Sequence, residues 1–127
     1  FRFKVGEVFK WYYSGKGVTQ DYAKAVEWYR KAAEQGHATA QDTLGDMYYS
    51  GKGVTQDDAK AVEWYRKAAE QGNADGQDNL GTMYSLGMGV TQDKEKAIEW
   101  ICKAATQNNA SAKRTITNIN ATCPATK

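Results

Sequence analysis

Apolar positions along the chain recur at helical spacing. Ala40, Leu44, Met47 and Tyr48 fall at i, i+4, i+7 and i+8, which predicts a helix over about 38–49. Ala61, Trp64, Tyr65, Ala68 and Ala69 line one face of a second predicted helix over about 57–71. No period-2 alternation of useful length occurs, so strands are not expected. The pattern then repeats. Residues 14–37 read SGKGVTQDYAKAVEWYRKAAEQGH and residues 50–73 read SGKGVTQDDAKAVEWYRKAAEQGN, differing only at Tyr22/Asp58 and His37/Asn73. A diverged third copy, LGMGVTQDKEKAIEWICKAATQNN, occupies residues 86–109. A helical pair of this size has an apolar face that only a neighbouring pair can cover, so the units must stack. The expected fold is an all-α, α/α solenoid of about three helix–turn–helix repeats of 36 residues. The units run 2–37, 38–73 and 74–109, a capping helix covers 110–121, and 1–127 forms a single domain.

Local signals agree with that frame. Asp21, Asp57 and Asp93 stand where a carboxylate caps the second helix of each unit, and Gly36 and Gly72 follow its last turn. Glu27–Lys31, Glu63–Lys67 and Glu99–Lys103 are i, i+4 pairs in the favoured order. Gly15-Lys16-Gly17-Val18, Gly51-Lys52-Gly53-Val54 and Gly87-Met88-Gly89-Val90 read as tight reversals with positive φ, each valine plugging the loop onto the core. A phosphate-cradling loop is excluded by context: no strand precedes it and Met88 replaces the lysine. Gly45 and Gly81 permit close helix approach, and Trp28, Trp64 and Trp100 are expected to fill wider gaps in the core.

Composition narrows the function classes. Hydrophobic residues at 41% and charged residues at 25% suit a folded chain, and no run is long enough to span a bilayer. With 17 basic and 15 acidic residues interleaved, for a net charge of +2, the basic stripe that phosphate neutralisation demands is missing, so nucleic acid is not the expected partner. The start, Phe1-Arg2-Phe3-Lys4, is neither an initiator methionine nor a signal peptide, which suggests a processed or trimmed end and leaves the compartment open, a bacterial periplasmic or secreted setting being favoured over the cytoplasm. Cys102 and Cys123 lack metal-ligand spacing. Unpaired core thiols are the expectation; a disulfide requires the chain to fold back after Pro124. Asn109-Ala-Ser111 and Asn120-Ala-Thr122 fit the glycosylation pattern, which matters only in a eukaryotic secretory setting.

The residues Leu44-Gly45-x-x-Tyr48-x-x-Gly51-x-Gly53-Val54-x-x-Asp57-x-x-Lys60-Ala61-x-x-Trp64-Tyr65-x-Lys67-Ala68-Ala69-x-x-Gly72 resemble the Sel-1-like repeat, over roughly residues 6 to 121. That family is similar to the tetratricopeptide repeat, from which the 36-residue period and the Gly-x-Gly-Val loop distinguish it. The resemblance implies a right-handed α-superhelix acting as an adaptor that binds a protein or peptide. Phe9, Trp11 and Ile116-Thr117 depart from the pattern at the two ends.

In the related tetratricopeptide folds the first helix of each pair lines the concave face. Carried over, this implies Thr39, Asp42, Thr43, Asp46 and Tyr49 in one unit and Asp75, Asp78, Asn79, Thr82 and Ser85 in the next as non-core contact positions. Glu7, Lys10 and Tyr13 extend them at one end, and Ser111, Arg114, Thr115 and Asn118 at the other. Four central aspartates point to a partner offering Lys, Arg or backbone amides; Tyr13 and Tyr49 are the preferred aromatic contacts. A monomer without cofactor or metal is expected. An enzyme is not: His37, the only histidine, aligns with Asn73 and Asn109 as a polar turn residue, and neither Ser-x-x-Lys nor Lys-Thr-Gly occurs. The alternative is a small β-lactamase-like hydrolase using Cys102 or a groove carboxylate.

Overall fold

The computed structural model describes residues 21–124. Helices α1 (Tyr22–Glu34), α2 (Ala38–Ser50), α3 (Asp58–Glu70), α4 (Ala74–Leu86), α5 (Lys94–Thr106) and α6 (Ala110–Asn118) follow one another, with no strand among the described residues. Each packs on its sequence neighbours, and α2 also meets α4 one unit on. The protein is thus an all-α solenoid, in which α2, α4 and α6 are the first helices of successive units and α1, α3 and α5 the second. The first helix of the opening unit, with Glu7, Lys10 and Tyr13, and the first Gly-Lys-Gly loop lie outside the described residues. Helix α6 ends at Asn118, short of the expected residue 121.

The caps explain the sharp boundaries. The backbone N–H groups of Lys24, Lys60 and Lys96 each donate to the carboxylate three residues back, at Asp21, Asp57 and Asp93, all at 3.0 Å. At the other ends, the N–H groups of His37, Asn73 and Asn109 reach back five residues to Ala32, Ala68 and Ala104. The residue between is left-handed: Gly36 and Gly72 at φ 91°, and Asn108 at φ 66° in the third unit. His37, Asn73 and Asn109 are also the N-caps of the next helices, and Asn73 and Asn109 accept there from Gly76 and Ala112. One position thus ends one helix and starts another, and the turn between units shrinks to almost nothing.

Within a unit, the loop closes through the N–H of Asp57 donating to Tyr48 and that of Asp93 to Tyr84, both at 2.9 Å. Gly53 and Gly89 combine positive φ, 77° and 72°, with close approach: a Cβ there would stand 2.3 Å from the Tyr22 carbonyl and 2.4 Å from that of Asp58. Val54 and Val90 pack against the core as expected.

Leu44, Met47 and Leu80 are the largest fully enclosed side chains; each contributes about 1.5–3 kcal/mol by leaving water. The tryptophans meet the expectation of core packing only in part: Trp64 and Trp100 pack against the edge of the core, and Trp28 does not. Trp28 is 48% exposed, and Trp64 and Trp100 are half-buried, with Lys67 and Lys103 ammonium groups 4.6 and 4.4 Å from their ring centres. The core position belongs to the next residue, Tyr29, Tyr65 or Ile101, each buried. Consecutive helical residues diverge by about 100°, so only one of the pair faces inward. Gly45 and Gly81 admit that residue: a Cβ at Gly45 would lie 2.7 Å from the Tyr65 ring, and one at Gly81 would lie 2.5 Å from Ile101 Cγ1.

Two further contacts repeat with the unit. Arg30 Nη2 donates to the Tyr48 hydroxyl at 3.0 Å, its guanidinium 5.9 Å from that ring's centre, and Arg66 stands 5.6 Å from the Tyr84 ring. One period later the arginine position is Cys102, while Cys123 falls where Gly51 and Gly87 stand earlier. These cysteines form a disulfide with Cα atoms 5.4 Å apart. This corrects the expectation of unpaired core thiols: the segment between α6 and Pro124 returns Cys123 to α5, and Cys102 is bonded where the earlier units carry an arginine. In the second contact, Gln71 donates to Gln41 Oε1 at 2.7 Å and Gln107 to Gln77 Oε1 at 2.9 Å, while Gln41 and Gln77 donate to the Ala33 and Ala69 carbonyls. The buried Gln41 and Gln77 amides are thus satisfied within their own unit by the exposed Gln71 and Gln107, and across units by the Ala33 and Ala69 carbonyls.

Candidate partner-binding face

The first helices α2, α4 and α6 carry the candidate residues side by side. Thr39 and Thr82 are exposed and Asn79 and Thr43 half-buried, while Tyr49 keeps 44% of its surface open. The Thr43 and Thr82 hydroxyls turn back onto the Thr39 and Asp78 carbonyls, so they rim the face rather than reach from it.

Asp42 and Asp78 are not the open positions expected of them: they are 8% and 7% exposed. A first helix is enclosed by the second helices on one side and by the next first helix on the other, so a polar position between them is covered. Asn79 Nδ2 donates to Asp42 Oδ1 at 2.8 Å, from α4 to α2. The Asp42 pKa is pushed up from 3.8 to about 7, first by burial, then by the charge of Asp46, with Asp75 and Asp78 adding to it and the Asn79 hydrogen bond opposing. Asp78 is raised too, chiefly by burial, with Ser111 and the Arg114 guanidinium easing it, and its Oδ1 is buried without a hydrogen-bond partner. Arg114 itself is exposed.

Asp46 accepts from the Tyr65 hydroxyl at 2.6 Å. Enclosure of its carboxylate raises its pKa, against the pull of that hydrogen bond, and Asp75 adds to the rise. Burial and the same hydrogen bond push the Tyr65 hydroxyl up as well. Asp75 accepts from Asn109 Nδ2 at 2.8 Å, which ties the two ends of the third unit together. Asp46, Tyr49, Tyr65, Asn79, Thr82, Met83 and Leu86 together line a cavity of about 160 Å³ between α2 and α4. Of the lining residues outside the candidate set, the sequence places Tyr65 on an apolar helix face and does not single out Met83 or Leu86. Tyr65 and Met83 belong to the apolar stripe, yet their outer edges reach the groove.

The alternative hydrolase reading loses its thiol, since Cys102 is bonded to Cys123 and buried. Among the described residues no group of three His, Cys, Asp or Glu side chains is arranged to hold a metal ion, and no helix is long and apolar enough to cross a membrane.

Comparison with protein families matches the Sel1 repeat three times, at residues 2–37, 38–73 and 74–109. The chain belongs to the Sel1 repeat family. Among solved structures, it is similar to a protective antigen of uropathogenic Escherichia coli strains that displays an SLR fold. The identity is 45% and the TM-score 0.85, covering 91% of this chain and 25% of that one. It is also similar to a Sel1 repeat protein from Oxalobacter formigenes, with 43% identity and a TM-score of 0.77 over 87% of this chain and 32% of that one. The chain therefore spans about a quarter and a third of the lengths of these two relatives. Cysteine rich protein B of Helicobacter pylori shares the fold, at 23% identity and a TM-score of 0.71, over 87% of this chain and 93% of that one. No curated protein matches. Sel1 repeat proteins generally serve as non-catalytic scaffolds for protein interaction.

Proposed function

We propose that this chain is an adaptor module that holds a protein or peptide partner on the face of its first helices, α2, α4 and α6, through a surface complementary to positive charge. The observation that carries this reading is the gathering of Asp42, Asp46, Asp75 and Asp78 on two adjacent helices, with pKa values raised at three of them. Burial is the first cause at each and neighbouring carboxylates add to it, so a basic partner brought against this face would favour the ionised forms. Tyr49 and Thr39 add contact area beside the acids, and Arg114 together with Ser111 borders them at one end. Tyr13 would extend the same face by its place in the repeat.

Panning a random dodecapeptide display library against the chain provides a test. Enriched peptides should carry Lys or Arg, and replacing Asp42, Asp46, Asp75 and Asp78 together by Asn should weaken their binding tenfold or more, by roughly 1.4 kcal/mol at least. Their affinity for the unaltered chain should fall as salt rises. Neutral peptides, bound equally by both chains at all salt concentrations, would overturn the reading.

A further inference from the structure

The cavity between α2 and α4 has an internal order that a general docking surface does not require. Four large apolar side chains are exposed among the described residues, Trp28, Tyr49, Leu86 and Ile119. Two of them, Tyr49 from α2 and Leu86 from α4, line this one cavity together with Met83. The polar lining is Asp46, bonded to Tyr65, with Asn79 and Thr82 beside it. No lysine or arginine is among the lining residues. The second oxygen of Asp46 is left for a donor from outside, because Tyr65 engages Oδ1 alone.

An apolar rim above a carboxylate fits one class of group: a long side chain that is aliphatic along its stem and cationic at its tip. The aromatic half of such a site recurs within the protein, where Lys60 and Lys96 ammonium groups lie 5.5 and 5.6 Å from the Tyr48 and Tyr84 ring centres. We infer that the cavity bounded by Asp46, Tyr49, Asn79, Met83 and Leu86 is a pocket for a single lysine or arginine side chain of the partner polypeptide. The stem lies between Tyr49 and Leu86, and the charged head donates to the free oxygen of Asp46. This inference rests on the proposed docking face and specifies one anchor within it. At about 160 Å³ the space admits a side chain and no folded element.

The test titrates isotope-labelled protein with three blocked tripeptides, acetyl-Gly-Lys-Gly-amide, acetyl-Gly-Arg-Gly-amide and the neutral acetyl-Gly-norleucine-Gly-amide, with agmatine as a free amine. The Lys or Arg tripeptide should move the Leu86 and Met83 methyl signals and the Asn79 side-chain amide, while norleucine should not. Asp46→Asn keeps an acceptor for Tyr65 and should weaken binding about tenfold. Leu86→Ala, on an exposed side chain, should weaken it severalfold without altering the melting temperature. Norleucine binding as well as lysine would overturn the pocket, as would signals moving only at other helices or agmatine binding more tightly than both peptides. If display-selected peptides bind the first-helix face while the tripeptides leave the pocket untouched, the pocket fails and the docking face stands.

Discussion

Asn79 donates its side-chain amide to Asp42 across 2.8 Å, joining two first helices that belong to different repeats. This bond ties stability to the ionisation of the acidic face. Asp42 has a folded-state pKa near 7 against an ordinary 3.8, so the folded chain holds its proton where the unfolded chain has released it. Stability from this group is therefore lost as pH rises from about 4 to 7. Asp42→Asn preserves an acceptor for Asn79 and removes the charge. It should raise stability at pH 8 by about 1–3 kcal/mol and change little at pH 4.5, as read by denaturant melts at both pH values. Equal effects at the two would show that the charge carries no penalty.

The same titration acts on ligand binding with the opposite sign. A cationic peptide needs ionised carboxylates, so its affinity should fall on acidification through pH 7, with Asp42 the first to protonate and Asp46 and Asp78, also raised, following. Calorimetric titrations between pH 5 and 8 check this, and binding near pH 7 should release protons; proton uptake would contradict it.

Gly81 is needed for closeness rather than for a backbone angle. A Cβ there would stand 2.5 Å from Ile101 Cγ1 and 2.9 Å from the Ala97 carbonyl. Glycine to alanine inside an unobstructed helix stabilises by about 0.5–1 kcal/mol; Gly81→Ala should instead destabilise by about 1–3 kcal/mol. The sign of the change in urea midpoint decides between the two.

Reduction of Cys102–Cys123 opens a loop of 21 residues and should cost about 3 kcal/mol on chain-entropy grounds. Hydrogen exchange should then speed up first in α6, the helix within that loop. The intact mass should rise by two hydrogens on reduction.

Much of this was legible in the residues. The 36-residue period, the aspartate caps and the positive-φ glycines of the two described loops all follow from local chemistry that two near-identical copies and a diverged third repeat. The burial of Asp42 and Asp78 was not legible, because a polar residue on a helix looks exposed unless the neighbour that covers it is known. That neighbour's amide, Asn79, lies 37 residues away. Trp64 recurs as Trp28 and Trp100 while Tyr65 gives way to Ile101 in the third copy, so recurrence alone points to the wrong member of the pair as the one that meets Gly45. The disulfide left only a partial signal: by the period Cys102 takes the place of Arg66, which reaches Tyr84, while Cys123 stands three residues past that tyrosine's equivalent, Asn120. The lining of the α2–α4 cavity was half hidden for the same reason as the tryptophans, since Met83 and Tyr65 serve the core and the groove together.

The footprint of a display-selected peptide on labelled protein tests the account most directly. It should fall on Tyr49, Asn79, Thr82 and Leu86 of α2 and α4, leaving the exposed residues of the second helices, Glu63 and Lys67 on α3 and Glu99 and Lys103 on α5, unmoved. Perturbations concentrated on those second-helix residues, with the first helices silent, would contradict it.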